Sequence, residues 1–422
     1  MKRWGLALIF LVGLAVACLH APASALPLSH SRSWVDRRVD QLSASELRTL
    51  PPTRLVDADR ALVAERLVRV RRPLFWCSSL IQIFALFWAW RSGFAAHLRA
   101  LLASRLRNRH VLRGVYAMIG VALLECVALP FLWLSYHLAY IVGVSREPLL
   151  GFLRDVLVAT GVEMLVVAAI IVLIMALVDC VRRWYIAAVG AFLVLGVLAV
   201  VLVPVVIDPL FQKSVLLAPQ SAWGRQLYPL EARAGVGTVP IFLTNLSRTS
   251  EVGNANVAGL GPTRRVFVGD SLLQTATPAE VRFVFAHELG HIAHNDALTV
   301  TLLADLLLII ALAVALLLAE RVAVRGDDDP LARLPLLAAL LGMVSLFVLP
   351  VGNAYSRMVE ARADRFGLAV THDDVAAARL FVRFADEGFT PICPPSIVRW
   401  YFYDHPPLGS RITTVTGRPD GC

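Results

Sequence analysis

Charged residues are scarce in this chain of 422 residues. Asp, Glu, Lys and Arg together make up 17% of it, whereas hydrophobic residues make up 58% and the mean hydropathy is +0.68. In soluble proteins about a quarter of the residues are charged. The shortage therefore argues against an ordinary water-soluble globular protein and predicts a polytopic membrane protein.

Lysine is almost absent: Lys2 and Lys213 are the only two, so arginine supplies nearly all of the formal net charge of +9. No part of the sequence combines clustered basic residues with interleaved aromatic residues, the pattern of a nucleic-acid-binding surface. We therefore expect no nucleic-acid partner. Arginine in place of lysine is typical of GC-rich coding and indicates a bacterial source.

The sequence also lacks a C-x-x-C pair, which argues against a cysteine-based metal or redox motif. We expect its six cysteines to be inert, several of them in or beside apolar stretches: Cys18, Cys77, Cys126, Cys180, Cys393 and Cys422. A disulfide between Cys393 and Cys422 requires the C-terminal segment to face an oxidising compartment.

Long apolar runs are abundant by contrast. A membrane-spanning helix needs about 20 apolar residues, and the sequence offers seven candidates: 5–25, 74–90, 114–144, 156–178, 184–207, 297–319 and 334–352. Two stretches are polar enough to face water, 212–296 and 353–422.

The first apolar stretch has several interpretations. Lys2 and Arg3 precede it and "APASA" follows it, as in a secretory signal with its cleavage site. "AVAC", ending at Cys18, resembles a lipoprotein signal. The third interpretation is a retained first transmembrane helix.

The last two apolar stretches predict a hairpin, which places both polar stretches on the same side of the membrane. A site divided between them can therefore assemble. Charge leaves the side open: six arginines crowd the connection after the second apolar stretch, whereas ten lie between residues 32 and 72. The positive-inside rule gives opposite answers for these two groups.

Three acids lie within the apolar stretches, namely Glu125, Glu163 and Asp305. A charge at the centre of a bilayer costs about 3 kcal/mol or more, so each side chain is expected to face protein or water. Pairing inside a helix bundle and lining of a water-filled cavity are the two alternatives. Pro130, in the third stretch, predicts a kink.

The motif H-E-x-x-H occurs in "ATPAEVRFVFAHELGHIAH", which begins with a helix-start pattern: Thr277 as N-cap, Pro278 next, and Glu280 three residues after the cap. On a helix, His287 and His291 lie one turn apart on one face and can bind the same zinc ion. Glu288 lies beside them as the candidate general base. The alternative is a pair of ordinary surface histidines.

A catalytic zinc ion usually has three protein ligands, and "NAYSRMVEARADRFG", residues 353–367, offers Glu360 as the third. Asp364 lies one helical turn further on and could accept the free N–H of a liganding histidine. The alternative is an amphipathic surface helix whose arginines form ordinary ion pairs. His294 and Asp296 follow the motif, and we expect His294 to be a rim residue, not a ligand.

Four motifs in order, "SRTSEVGNANVAGLGPTRRVFVGDSLL", "HELGH", "SRMVEARAD" and "YDHPPLGSRI", resemble the membrane-embedded zinc metalloproteases of the CAAX prenyl protease type 1 family, relatives of the HtpX-like proteases. The resemblance extends over the whole chain. It implies seven transmembrane helices, which favours retention of the first stretch, and a helical chamber around the site.

The resemblance also implies residue roles. It implies one Zn²⁺ per chain at His287, His291 and Glu360, with Glu288 as general base. His405 and Arg411 are implied to stabilise the tetrahedral oxyanion. "VGNANVAGLG" resembles a segment that binds substrate as an added β-strand, in which Asn254 could hold the substrate backbone, although a loop-capping asparagine is the alternative. Asn256 stands where the family usually has an aromatic residue, which leaves subsite preference open.

The predicted fold is therefore mainly α: a seven-helix polytopic membrane protein with a zincin-like (gluzincin) α+β catalytic domain. The expected regions are an N-terminal transmembrane region 1–211, a catalytic segment 212–296, a transmembrane hairpin 297–352 and a second catalytic segment 353–422. We expect a multi-pass protein of a bacterial inner membrane, with the catalytic segments in the cytoplasm as the resemblance implies.

The predicted activity is hydrolysis of peptide bonds in membrane-associated or peptide substrates by a zinc endopeptidase. The predicted partners are therefore a polypeptide substrate and the lipid bilayer. A catalytically idle zinc-binding membrane scaffold is the main alternative. A secreted soluble metalloprotease would require most of the later apolar stretches to be buried core helices.

Overall fold

The computed structural model describes residues 28–322, 329–419 and 421–422. The apolar stretch 5–25 lies outside the described residues, so its interpretation stays a prediction.

Helices make up most of the described chain. The N-terminal half contains α1 (Arg32–Gln41), α2 (Ala44–Thr49), α3 (Pro52–Leu55), α4 (Ala58–Arg91), α5 (Phe94–Arg105), α6 (Arg109–Ile141), α7 (Leu149–Cys180) and α8 (Trp184–Leu202), followed by a π-helical turn (Val203–Ile207) and α9 (Asp208–Phe211).

The C-terminal half mixes short strands with helices. It contains β1 (Ser214–Leu216), α10 (Gly224–Arg233), β2 (Ile241–Thr244), β3 (Ala255–Ala258), β4 (Arg265–Gly269), α11 (Asp270–Thr275), α12 (Pro278–Ala293), α13 (Asp296–Val322), α14 (Pro330–Thr371), α15 (Asp374–Gly388), α16 (Ser396–Phe402) and α17 (Leu408–Val415).

Within the described residues, six helical segments are long and apolar enough to cross a membrane: α4, α6, α7, α8 with α9, α13 and α14. Each overlaps one of the predicted apolar stretches. The segments have 27 to 42 residues, and at about 1.5 Å per residue all of them exceed a hydrocarbon core about 30 Å thick. Their ends therefore extend beyond the bilayer, and α14 has enough length to enter the water-exposed part of the protein.

Outside the bilayer, α1–α3, residues 212–295 and residues 360–422 pack into one unit, which we call the extramembrane domain. A single hydrophobic core runs through all three parts and includes Val39, Leu227, Phe283 and Phe381. The side of the bundle on which this domain lies is the domain face. The connection 142–148 is on the same face, because the N–H of Arg146 donates to the carbonyl oxygen of Thr249 (3.0 Å).

The other end of the bundle, the opposite face, contains α5, the connection between α7 and α8, and the start of α14. Arg99 pairs with Asp329 at 2.6 Å, and Arg113 pairs with Asp179 at 2.7 Å. Leu112, in α6, packs in the same cluster as Leu331.

The sheet has four strands in the order β1-β2-β4-β3. β2 and β4 are parallel, with Leu243 opposite Val268, whereas β1 and β3 are antiparallel to their neighbours. β3 is an edge strand, so the backbone groups on one of its sides are not used by the sheet.

Two of the three acids in the apolar helices are neighbours: Glu125 (α6) is half-buried and lies beside Glu163 (α7), which is exposed. Asp305 (α13) is buried against α8, where a Cβ atom on Gly196 would overlap its carboxylate oxygens. Gly196 therefore creates the space that this side chain occupies.

The predicted regional boundaries can be compared with these elements. α13 starts at Asp296, and α14 runs without a break across the predicted boundary between residues 352 and 353. The division into four regions stays a prediction about how the chain is organised.

Candidate metal centre and active site

The H-E-x-x-H motif lies on α12, which begins as the sequence predicts. Thr277 and Glu280 form a reciprocal capping box, with the N–H of Thr277 donating to Glu280 Oε2 at 2.7 Å, and Pro278 occupies the first helical turn. The helix runs unbroken through the motif. His287 and His291, four residues apart, therefore lie on one face, with their Nε2 atoms 3.2 Å apart.

A close helix crossing brings Glu360 to the two histidines. A Cβ atom on Gly290 of α12 would lie 3.1 Å from Phe366 Cβ on α14, and one on Gly367 would lie 3.1 Å from the backbone N of His287. Both glycines therefore allow the two helices to approach each other more closely than larger residues would. Glu360, two turns before Gly367 on α14, reaches the imidazoles as a result.

The side chains of the three candidate ligands form a triangle. Glu360 Oε2 lies 3.3 Å from His287 Nε2, and Glu360 Oε1 lies 3.5 Å from His291 Nε2. Two ligands at about 2.0–2.1 Å from a tetrahedral zinc ion are about 3.3 Å from each other. Glu360 Oε2 is also buried without a hydrogen-bond partner among the described residues. The donor set and its spacing thus fit a metal ion of this kind.

A carboxylate lies behind His287. Nδ1 of His287 donates to Asp364 Oδ1 (3.0 Å), and Arg411 donates to both oxygens of Asp364, from Nε at 2.8 Å and from Nη2 at 2.5 Å. Burial lowers the pKa of His287, but the neighbouring carboxylates of Asp364 and Glu360 outweigh it and raise the pKa to about 10. Burial raises the pKa of Asp364, yet Arg411 and His287 together hold it well below its usual range.

A second carboxylate lies behind His291. Nδ1 of His291 donates to Asp296 Oδ2 at 2.9 Å, and Arg362 donates to Asp296 Oδ1. Asp296 is buried, and it is the first residue of the membrane helix α13. This contact was not predicted from the sequence, although the position of Asp296 five residues after His291 was the available signal. His294 instead donates from Nδ1 to the carbonyl oxygen of Gly290 (2.7 Å).

Glu288 lies beside the triangle, within 4.8 Å of both imidazoles. It is buried, and its Oε2 accepts the backbone N–H of Val257, on β3, at 2.9 Å. Burial raises the pKa of Glu288, while His287 and His291 act in the opposite direction. The candidate base therefore lies between the ligands and the edge strand.

His405 and Arg411 come from the C-terminal part of the domain. His405 Nε2 lies 3.4 Å from Glu360 Oε2, and its Nδ1 lies 2.9 Å from Asp404 Oδ1. The His405 side chain is half exposed, whereas Arg411 is buried with its guanidinium 4.2 Å from the centre of the Phe381 ring. The structure thus brings both residues to the triangle, one on its open side and the other behind Asp364.

A cavity of about 1070 Å³ opens at these residues. Its wall includes the exposed Asn254 just before β3, the exposed Asn256 of β3, and both histidines of the motif. Ala199 of the membrane helix α8 and Pro204 of the π-helical turn also line it. Membrane helices and extramembrane domain therefore share one cavity.

Two histidines, a carboxylate and an adjacent glutamate at such a cavity define a class: a metal-dependent hydrolase embedded in a membrane through several helices. The family models agree with this class. Residues 222–418 match peptidase family M48, and residues 69–213 match the CAAX prenyl protease N-terminal region, described as five membrane helices.

Individual proteins are similar over most of their length. An uncharacterized metalloprotease YhfN of Bacillus subtilis is 24% identical over 371 residues, covering 86% of each chain. A probable CAAX prenyl protease 1 of Schizosaccharomyces pombe is 23% identical over 393 residues, covering 87% of this chain and 82% of its own. The crystal structure of S. mikatae Ste24p has the same fold, with a TM-score of 0.74, 19% identity, and coverage of 91% of this chain and 96% of that one.

The chain thus joins an M48 peptidase region to the CAAX prenyl protease N-terminal helices. It is an integral-membrane metalloprotease. The family predicted from the four sequence motifs is therefore confirmed.

Proposed function

We propose that this protein is a zinc endopeptidase that binds one Zn²⁺ through His287, His291 and Glu360 and uses Glu288 as general base. The observation that supports it most directly is the triangle of these three side chains. The two Nε2 atoms are 3.2 Å apart, and the two oxygens of Glu360 lie 3.3 Å (Oε2) from His287 Nε2 and 3.5 Å (Oε1) from His291 Nε2. Nitrogen and carboxylate donors in this number leave a fourth position for water or substrate, as catalytic zinc sites do.

When bound, zinc polarises the scissile carbonyl and acidifies water at the site. Glu288 accepts the proton of the attacking water and donates it to the leaving amine, for which its burial beside the ligands is suited. Asp364 and Asp296 hold the two imidazoles so that each presents Nε2 to the metal position. We assign Asp364 this role on the strength of its contacts with His287 and Arg411.

His405 is proposed to donate to the oxyanion that forms on the scissile carbonyl, because it lines the cavity with its Nε2 3.4 Å from Glu360 Oε2. Such a donor is worth about 3–4 kcal/mol of the barrier. Arg411 is proposed to supply positive charge to the same region. Its two hydrogen bonds to Asp364 add a second role, since they hold His287 in place through Asp364.

The substrate is proposed to bind in extended form along the exposed edge of β3, with Asn254 contacting its backbone. An edge strand beside Glu288 supports this arrangement, because a peptide added there runs past the candidate base. The shared cavity admits a chain segment and is partly enclosed by membrane helices, which favours membrane-associated or unfolded polypeptides. We propose a bacterial inner membrane as the location.

The experiment is cleavage of an unstructured peptide by the detergent-purified protein. Glu288→Gln should lower kcat about 10²–10⁴-fold, the usual contribution of a general base, while zinc content stays at one per chain. Chelation should abolish cleavage and added zinc should restore it. The exposed Glu65→Gln substitution on α4 is the matched control. Cleavage that neither chelation nor Glu288→Gln reduces would contradict the proposal.

A further inference from the structure

Two cysteines of the extramembrane domain lie together. Cys393, just before α16, and Cys422 form a disulfide, with their Cα atoms 5.1 Å apart. Cα separations of about 4.4–6.8 Å are those that a disulfide permits. Such bonds form and persist in oxidising compartments and are rare in the bacterial cytoplasm.

A glycine accommodates the two sulfur atoms. A Cβ atom on Gly409 would lie 2.8 Å from Cys393 Sγ and closer still to Cys422 Sγ. The N–H of Gly409 also donates to the carbonyl oxygen of Ile392 at 3.0 Å. The disulfide therefore packs against α17 at Gly409, which lies between His405 and Arg411 in the sequence.

The other described cysteines have different locations. Cys77 and Cys126 lie within the membrane helices α4 and α6, and Cys180 ends α7 at the opposite face. Among the cysteines that the structure describes, the two that form the disulfide belong to the extramembrane domain. The three free thiols lie in the membrane helices or at the opposite face. This distribution matches an oxidising domain face and a reducing opposite face.

Arginines of the opposite face give independent support. Residues 91–113 contain six arginines and no acidic residue, and the three-residue connection between α7 and α8 adds Arg182 and Arg183. On the domain face, the short connection 142–148 has one arginine and one glutamate. Since arginines in short connections stay in the cytoplasm, this asymmetry assigns the opposite face to the cytoplasm.

Three of the ten competing arginines, between residues 32 and 72, have a structural explanation. Arg32 pairs with Glu251 and Glu387, Arg38 lies 3.8 Å from Asp386, and Arg48 pairs with Asp374 at 2.6 Å. These three arginines are components of the folded extramembrane domain, matched by its acids. They therefore say less about topology than the acid-free basic segment on the other side.

We infer that the active site faces the extracytoplasmic side of the membrane, and that its substrates are polypeptides exported to, or exposed on, that side. This inference rests on the proposed function for its substrate class but not for the orientation. It reverses the cytoplasmic orientation that the family resemblance implies. The disulfide across Gly409 then forms after export and holds His405 and Arg411 in position.

Two measurements test the orientation without any cleavage assay. In intact cells of a bacterial host, a membrane-impermeant maleimide should label a variant that keeps only Cys422. A variant that keeps only Cys180 should be labelled only after permeabilisation. In the unmodified protein, non-reducing peptide mass spectrometry after alkylation of the membranes should recover the Cys393 and Cys422 peptides joined. Labelling in the reverse order, or recovery of both cysteines as alkylated thiols, would overturn the inference.

A third measurement tests the substrate class. An unstructured reporter polypeptide is expressed with or without a secretion signal, beside the wild-type protein or Glu288→Gln. We expect the wild type to cleave the exported form and not the cytoplasmic form, and Glu288→Gln to cleave neither. Cleavage of only the cytoplasmic form would overturn both parts of the inference. If neither form is cut although the labelling is as expected, the substrate class and the proposed function fail while the orientation stands.

Discussion

At the scale of single residues, the site depends on how its ligands are held. His287 donates to Asp364, and Arg411 donates to Asp364 through both Nε and Nη2. In the same way, His291 and Arg362 both donate to Asp296. Carboxylates behind metal-binding imidazoles fix the ring orientation and increase metal affinity. The same side chains therefore decide whether a metal ion stays bound, before any question of catalysis arises.

Arg411→Lys separates the two roles proposed for this residue. Lysine keeps the positive charge but cannot donate the paired hydrogen bonds of a guanidinium, so His287 loses part of its support. Zinc affinity should fall about 10–100-fold, measured by competition with a chromophoric chelator. Arg48→Lys, at an exposed ion pair, should leave it unchanged. A lower kcat with unchanged zinc affinity would instead indicate that Arg411 acts only on the oxyanion.

At the scale of secondary-structure elements, the crossing of α12 and α14 is the feature that assembles the site. Gly290 and Gly367 lie in the contact, and a Cβ atom added to either glycine would lie 3.1 Å from an atom of the other helix. Interiors are packed densely enough that one additional methyl group must displace a neighbour. The separation of the two helices thus determines the distance from Glu360 to the histidines.

Gly290→Ala should therefore weaken both the fold and the metal site. Overpacking of this kind costs about 1–3 kcal/mol, and the displaced α14 takes Glu360 with it. Thermal unfolding in detergent and zinc competition measure the two effects. Gly120→Ala, on the membrane helix α6 with no atom near the added Cβ, is the control. Equal zinc affinity in both variants would show that the crossing distance does not limit the site.

A buried carboxyl group on α15, that of Asp386, should make the stability of the fold depend on pH. Burial raises the pKa of Asp386 to about 7, although the N–H of Asp57 and the charge of Arg38 oppose the shift. A group whose pKa is higher in the folded state stabilises the fold fully below its unfolded pKa of about 3.9. That stabilisation is lost as the pH rises toward 7.

Asp386→Asn should remove this dependence, because the amide keeps a carbonyl oxygen for the N–H of Asp57 but does not ionise. We expect the melting temperature of the wild type, relative to the variant, to fall as the pH rises from about 4 to about 8. Asp374→Asn, at the exposed start of α15, is the control. Parallel pH profiles for wild type and Asp386→Asn would contradict the assignment.

At the scale of the whole molecule, a buried arginine connects three parts of the chain. Arg383 on α15 is 1% exposed and donates to Glu280 at the start of α12 (3.2 Å) and to Asp40 on α1 (2.6 Å). Glu280 is itself completely buried and caps the catalytic helix. The N-terminal helices are thereby joined to the element that carries both histidines.

Arg383→Met should cost about 3–5 kcal/mol of unfolding free energy, because it leaves the Glu280 carboxylate buried without its cation. Denaturant unfolding followed by tryptophan fluorescence measures this. Arg48→Met, at an exposed pair, should cost at most about 1 kcal/mol. Adding Glu280→Gln to Arg383→Met should recover part of the loss, and no recovery would argue that packing, not charge, dominates at this position.

Much of the site could be predicted because its parts are local. The Thr277 cap, the one-turn spacing of His287 and His291, and the four-residue spacing of Glu360 and Asp364 are properties of single helices. Asp296 was missed because its contact with His291 depends on the turn between α12 and α13, where Asn295 adopts a left-handed conformation. The second contact partner of Asp364, Arg411, comes from a distant helix, and no periodicity in the sequence connects them.

Hydropathy and spacing within short segments were enough to predict the six membrane helices that the structure describes and the catalytic helix with its cap, and the resemblance of four motifs predicted the family. The folded chain was needed to show that Glu360 reaches the histidines, that Asp296 and Arg411 support the site, and that Cys393 meets Cys422 over Gly409. These contacts join residues from different elements. Their distances are set by how closely helices pack, and close packing is a property of the assembled fold.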